Sequence, residues 1–158
     1  MARRTGAVAR KHLPKKPGLE GDLAVLHRSF GGRLAPPLGG RAYRFTIWLP
    51  VQSHGKPVFT EEHQFHLFRL FHECFGGFSQ TSLEGFPPWA GSWLPDATSE
   101  AVIDHHMLLV IYALQDAESV RCMRQLKWIL QQRHIADQEV VLIEQVPVHL
   151  IDALSPTA

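Results

Sequence analysis

The stretch HHMLLVIYAL, residues 105–114, gives the strongest strand signal in the chain and decides the fold. Its β-branched, aromatic and other apolar residues follow one another with no polar interruption after His106, as in a buried strand. Alternate residues of a strand point to opposite faces of the sheet. Because both the odd-numbered and the even-numbered residues are apolar here, we expect both faces of this strand to be covered.

A first strand and helix precede this stretch. Residues 43–51, YRFTIWLPV, are rich in β-branched and aromatic residues and predict a strand. Thr60 is a good N-cap for a helix with Glu61 and Glu62 in its first turn. That helix is expected to run to about Phe75, where Gly76 and the following glycine supply a C-terminal stop.

The remaining elements complete an alternating order. Residues 78–83 predict a second strand, Asp116 caps a helix over 117–134, and residues 140–148 predict the last strand. The order β-α-β-β-α-β resembles the ferredoxin-like arrangement, a four-stranded antiparallel sheet with two helices on one face. This resemblance implies an α+β fold, and it says little about activity because the arrangement serves many unrelated functions.

Positive charge is concentrated at the start of the chain. Residues 1–44 hold ten Lys and Arg against Glu20 and Asp22, a net charge of +8, whereas residues 45–158 hold six against thirteen acidic residues, a net charge of −7. We therefore predict a basic, Pro/Gly-rich arm over residues 1–41, disordered in isolation apart from two helical turns at 23–30. The folded domain is predicted to span residues 42–158.

Composition restricts the classes of protein. No apolar run of about 18 residues predicts a membrane span, and the first twenty residues lack the apolar core of a signal peptide. Cys74 and Cys122 are too few for a disulfide framework and fall within predicted helices, which favours a reducing, cytoplasmic setting. No nucleotide-binding or catalytic motif is present, and no cofactor is predicted.

Histidines and carboxylates offer candidate chemistry without a known motif. Glu62 and His66 lie four residues apart on one helix face, and with His106 they could form a three-ligand metal site. Asp104 and His106 are candidates for an acid–base pair. The alternatives are surface or core histidines and an aspartate that serves a turn before the strand.

The loop over residues 85–99, GFPPWAGSWLPDATS, combines turn residues with Trp89 and Trp93. Aromatic side chains on an irregular segment require burial or a ligand. They are expected either to cover the open end of the sheet or to line a pocket for a small molecule or peptide.

Two basic regions are candidates for partner binding. On the second helix, Arg121, Arg124 and Trp128 lie opposite the predicted core stripe and have the composition of an interface hot spot, or of a Trp lid beside solvated arginines. In the arm, six side chains could neutralise phosphates or acidic side chains. These are Arg3, Arg4, Arg10, Lys11, Lys15 and Lys16.

Together these features predict an accessory protein rather than an enzyme. We expect a homodimer, because a second copy is the simplest cover for the sheet face that the two helices leave open, and the loop at residues 85–99 is the alternative cover. The arm is expected to dock on nucleic acid, a nucleoprotein or the acidic face of a larger complex, with no membrane involved. The alternative is a small enzyme or ligand-binding domain, metal-dependent or not, with its pocket under the loop at residues 85–99.

Overall fold

Strands β1, Arg41–Ser53, and β5, Val102–Leu114, form the centre of one antiparallel sheet. They are seen in a computed structural model that describes residues 18–53, 56–57, 59–80, 89–93, 102–134 and 141–151. The other elements are α1 Leu19–Phe30, β2 Lys56–Pro57, α2 Glu61–Phe75, β3 Ser79–Gln80, β4 Trp89–Trp93, α3 Ala117–Ile129 and β6 Leu142–His149. The α+β class predicted from the sequence is confirmed.

Each edge of the central pair carries two strands in line. Along β1, strand β6 pairs with residues 41–48 and β2 with residues 52–53. Along β5, strand β4 pairs with residues 102–106 and β3 with residues 109–110. The sheet is therefore four strands wide, although it contains six strands, and all its pairings are antiparallel. The pairing of β1 with β5 is irregular between Pro50 and Gln52, where proline supplies no N–H to the ladder.

The predicted helix boundaries follow from local chemistry. The Thr60 hydroxyl accepts a hydrogen bond from the His63 backbone N–H at 3.3 Å, and His63 Nδ1 accepts one from the Thr60 N–H at 3.4 Å. Gly76 ends α2 with φ of +82°, a left-handed conformation that favours glycine. The Asp116 carboxylate caps α3 through the Ser119 N–H at 2.8 Å. The predicted caps and the predicted end of α2 are confirmed.

The end of the third helix differs from the prediction. The α-helix stops at Ile129, and a π-helical segment, Leu130–His134, replaces its predicted last turn. The predicted second strand is described only over Ser79–Gln80, since residues 81–88 lie outside the described residues.

The core lies between one face of the sheet and the three helices. The odd-numbered residues from Phe45 to Leu49 on β1 and from Met107 to Ala113 on β5 are buried against apolar side chains of α1, α2 and α3, and we call this side the covered face. Its strand members with at most 1% exposure are Phe45, Ile47, Leu49, Met107, Leu109, Ile111 and Ala113.

Helix α1 requires a correction of the predicted domain boundary. Leu23, Leu26 and Phe30 on α1 and Leu34 beyond it belong to the same buried cluster as the sheet. Backbone hydrogen bonds also join this region to α2 and β5, from the Gly32 N–H to the Glu73 carbonyl at 2.7 Å and from the Leu114 N–H to the Leu34 carbonyl at 2.9 Å. The described fold therefore includes residues 18–41, which the sequence predicts as part of the arm, and it contains three helices rather than two. Residues 1–17 lie outside the described residues.

Within the described part of the chain, none of the helices combines the length and apolarity needed to cross a membrane.

Candidate binding surface

The second face of the sheet is apolar and lies opposite the helices. It is formed by even-numbered residues of β1, β5 and β6, which the strand register places side by side. We call it the open face and define it by Arg44, Thr46, Trp48, Leu108, Val110, Tyr112, Leu142, Glu144 and Val146, of which Thr46 is buried, at 7% exposure. Tyr112 and Leu142 are 39% and 49% exposed, respectively. Trp48, Leu108, Val110 and Val146 are each half-buried, in contrast to their neighbours on the covered face.

Arg44 is the one cation among these open-face residues. It lies between Tyr112 on β5 and Val146 on β6 in the strand register. Its Nε atom is buried and has no hydrogen-bond partner in the described structure. A buried cationic donor without an acceptor is costly, and most such groups in folded proteins are paired. The open face therefore contains an unsatisfied donor as well as apolar surface.

The cleft between α1 and α2 contains the predicted metal candidate His66. Glu73 accepts a hydrogen bond from Arg69 Nε at 2.8 Å, and its second carboxylate oxygen lies 3.3 Å from His27 Nε2. The hydrogen bond from Arg69 lowers the pKa of Glu73, and the same bond raises the pKa of Arg69. The cleft has a volume of about 230 Å³. This is below the range of about 300–1,000 Å³ that small-molecule pockets occupy.

The structure does not bring the three metal candidates together. His66 lines the α1–α2 cleft on the helical side of the sheet. His106 pairs in register with Pro50 and alternates with buried Met107, so it belongs to the side opposite the helices. Glu62 is exposed in the first turn of α2. Among the described residues, no group of three potential ligands could hold a metal ion.

Asp104, Trp89 and Trp93 are described only through their backbones. Asp104 pairs with Ser53 of β1 and with Gly91 of β4 inside the sheet. Trp89 and Trp93 bound β4, a strand paired with β5, within the segment at residues 85–99 whose sequence predicts a loop that could in part return as a hairpin arm. The side chains of Asp104 and both tryptophans lie outside the described part, as do residues 81–88 and 94–101.

Both thiols are buried and protonated at neutral pH. Burial raises the pKa of Cys74 to about 11 and that of Cys122 to about 12. Since the thiolate is the reactive form, neither cysteine is suited to act as a nucleophile. Both cysteines therefore serve as small apolar residues of the core.

On α3, the predicted partner-binding residues have different roles. Arg121 donates to Glu118 at 2.6 Å and lies 5.2 Å from the ring centroid of Phe30, so it ties α3 to α1. Arg124 is exposed, and Trp128 is 58% exposed. Arg124 also lines a shallow groove between α3 and β6. Arg124 and Trp128 thus remain available for a partner, whereas Arg121 already has structural contacts.

Sequence reasoning missed Arg44 and Glu144 as members of a surface. Arg44 was counted only as a charge near the arm, although it lies between aromatic Tyr43 and Phe45 at the start of a strand. The alternation of strand residues places it on the face opposite those two rings, which is the signal that could have identified it.

The arm residues Arg3, Arg4, Arg10, Lys11, Lys15 and Lys16 lie outside the described residues. Comparisons of the chain with protein-family models, with curated proteins and with solved structures found no match.

Proposed function

We propose that this chain is a non-enzymatic accessory protein that self-associates through the open face and docks on a polyanionic or acidic partner through its basic arm. The partner class comprises nucleic acid, nucleoprotein and the acidic face of a larger protein complex. The observation that carries the proposal is the open face itself, an apolar sheet surface with an unsatisfied arginine.

The size of the open face supports an interface. Three strands about 4.8 Å apart and about seven residues long at 3.4 Å per residue span on the order of 300–400 Å² in projection. Contiguous apolar patches of a few hundred Å² on a monomer commonly mark interaction sites. An interface of this modest size, with loops added at its rim, fits a reversible dimer better than an obligate one.

The charge distribution supports docking through the arm. Residues 1–17 contain six basic and no acidic residues, a net charge of +6. The remaining ten basic and fifteen acidic residues give the rest of the chain a net charge of −5. A cationic segment neutralises phosphates without fixed geometry, whereas an acidic domain repels them. Self-association would place two arms on one particle and raise their combined affinity by multivalency.

Several further features agree with this proposal. The residues considered for catalysis and metal binding are spread over both sides of the sheet, and the two thiols are buried. The free thiols of Cys74 and Cys122 suit a reducing compartment, and we place the protein in the cytoplasm. Two helical connections support a ferredoxin-like arrangement with α1 added. Helix α2 connects β1 to β3, with β5 between them in the sheet, and α3 connects β5 to β6, with β1 between them.

Self-association is tested by placing a charge on the open face. Tyr112→Glu puts two like charges into the proposed interface, and we expect at least a tenfold weaker dimer in sedimentation equilibrium. Leu38→Glu is the matched control, because Leu38 is 77% exposed in the turn before β1. Equal effects of the two substitutions, or no effect of Tyr112→Glu, would contradict the proposal.

Docking is tested with the full chain and a chain that starts at residue 18, which keeps every described element. The probes are a single-stranded RNA, a DNA duplex and a polyglutamate peptide at 50 and 200 mM salt. We expect only the full chain to bind one of these probes, with affinity that falls steeply as salt rises. Equal binding by both chains, or binding that salt leaves unchanged, would remove the arm from the function.

A further inference from the structure

Arg44 and Glu144 are opposite charges on the open face that do not pair within one chain. The register places Arg44 opposite Val146 and Glu144 opposite Thr46. The two charged residues are therefore diagonal neighbours, one strand and two positions apart. In the described part of the chain, neither side chain forms an ion pair or a side-chain hydrogen bond with the other.

The surroundings of Arg44 specify the chemistry of what should cover it. The Arg44 guanidinium has no charge-matched acceptor among its register neighbours, because Val146 is aliphatic and Tyr112 offers only a phenol hydroxyl, and its buried Nε atom has no hydrogen-bond partner in the described structure. A carboxylate is the acceptor that matches a guanidinium best, through two parallel charge-assisted hydrogen bonds. The same covering surface must also be apolar, in order to bury Val110 and Tyr112.

A second copy of this chain meets both requirements. It brings the same apolar strand residues and, in Glu144, an exposed carboxylate. When two copies of a sheet pack face to face with two-fold symmetry, the symmetry axis lies between the sheets and runs parallel to them. Suppose that this axis passes midway between Arg44 and Glu144, perpendicular to the line that joins them. Arg44 of each copy then lies over Glu144 of the other copy.

The distances on the sheet make this arrangement compact. Residues one strand and two positions apart are separated by about 8 Å, from a strand spacing of about 4.8 Å and a rise of about 3.4 Å per residue. Two reciprocal ion pairs would therefore lie within about 8 Å of each other at the middle of the interface. This placement removes both ion pairs from solvent. A charge pair at the centre of an interface contributes most strongly to the specificity of binding.

We propose that a second copy of this chain covers the open face and that Arg44 of each copy pairs with Glu144 of the other. The proposal rests on the self-association proposed above and adds its register and its recognition pair. Because the contact is isologous, each dimer contains the pair twice, and a single substitution changes both pairs.

The test uses two charge reversals in the full chain. In Arg44→Glu the two pairs become Glu against Glu, and in Glu144→Arg they become Arg against Arg. Each variant alone should dimerise about 100-fold more weakly than the wild type, since like charges face each other. Mixed in equal amounts, the variants should form a heterodimer, because both contacts then join opposite charges. The double variant Arg44→Glu/Glu144→Arg should recover the homodimer.

Sedimentation velocity with a fluorescent label on one variant measures the heterodimer directly. The matched control is the pair Arg33→Glu and Glu62→Arg, which reverses exposed charges away from the open face. These two variants should each dimerise like the wild type. If a reversal prevents folding, Arg44→Gln and Glu144→Gln replace it. The double variant Arg44→Gln/Glu144→Gln should then lose as much dimer affinity as either single variant, because both substitutions break the same ion pair.

The outcomes separate the two proposals. A wild-type dimer whose single variants still dimerise normally, or whose mixture forms no heterodimer, overturns the Arg44–Glu144 pairing and leaves self-association standing. A wild-type chain that stays monomeric at high micromolar concentration overturns both. In that case a segment of the same chain or a different protein covers the open face.

Discussion

The two faces of β5 have nearly the same composition and very different surroundings. On the covered face, Met107, Leu109 and Ile111 are at most 1% exposed, because three helices pack against them. On the open face, Leu108 and Val110 are half-buried and Tyr112 is 39% exposed. The apolar alternation of a strand therefore tells which side chains share a face, and it does not tell whether that face is covered within one chain. The excess of apolar surface on the second face is what points to an intermolecular contact.

Removing α1 should break the covered face entirely. The helix contributes four apolar side chains to the core, Leu19, Leu23, Leu26 and Phe30. Full burial of each is worth roughly 1.5–3 kcal/mol, a sum comparable with the whole stability of a small domain. We therefore expect a chain that starts at residue 42 to lose its cooperative thermal transition in circular dichroism, whereas a chain that starts at residue 18 keeps it. Similar melting of both chains would show that α1 is dispensable.

Leu108 and Leu109 are adjacent on β5 and point to opposite faces, so the same substitution at each position compares the stability contributions of the two faces. Leu109→Ala should lower the free energy of unfolding by about 2–5 kcal/mol, as expected for a leucine in a packed core. Leu108→Ala should cost about 1 kcal/mol or less in dilute protein, because its site is already partly exposed. Urea denaturation at submicromolar concentration measures both values. Equal losses would mean that the open face is covered within one chain.

Thiol reactivity gives a second comparison of the faces. With pKa values of about 11 and about 12, Cys74 and Cys122 should not react with Ellman's reagent at pH 7.5 until the protein unfolds. A cysteine introduced by Val110→Cys should react readily in dilute protein and become protected as the concentration rises. Rapid modification of the native thiols, or a Val110→Cys thiol that is protected at every concentration, would contradict this difference.

The smallest expected effect concerns the contact between Arg69 and Glu73 within α2, beside the His27 contact from α1. The hydrogen bond from Arg69 lowers the pKa of Glu73 in the folded state, so the stability it contributes is complete above the pKa of an unfolded glutamate. That contribution is lost as the pH falls through the lower folded value. Glu73→Gln should therefore slightly lower the thermal stability at pH 7, where the contribution is complete, and it should reduce the further loss between pH 5 and pH 3. A pH profile of thermal stability identical to that of the wild type would show that the Arg69–Glu73 contact does not contribute to stability.

Local signals predicted the individual elements well. The Thr60 and Asp116 caps, the Gly76 stop and the central strand follow from short-range chemistry, and each is found where the sequence places it. Such features depend on a few adjacent residues, so no tertiary information is needed to locate them.

Features that depend on long-range packing are not predicted. The helical turns predicted at residues 23–30 are assigned to the arm because of the basic composition around them, although Leu19, Leu23, Leu26 and Phe30 recur at helical spacing and belong to the core. Composition averages over a segment, whereas four correctly spaced side chains are enough to join a core. In the same way, the sequence allows a metal site formed by Glu62, His66 and His106. The structure places His66 and His106 on different sides of the sheet. Two positions on different elements acquire a spatial relation only through the fold.

Sedimentation equilibrium of the full chain over a range of concentrations tests the central claim most directly. A self-associating open face predicts a mass that rises from 17.8 kDa towards twice that value, and a shift of this equilibrium towards monomer in Tyr112→Glu. A mass that stays at 17.8 kDa up to high micromolar concentration would contradict the account, because the open face would then not bind a second copy.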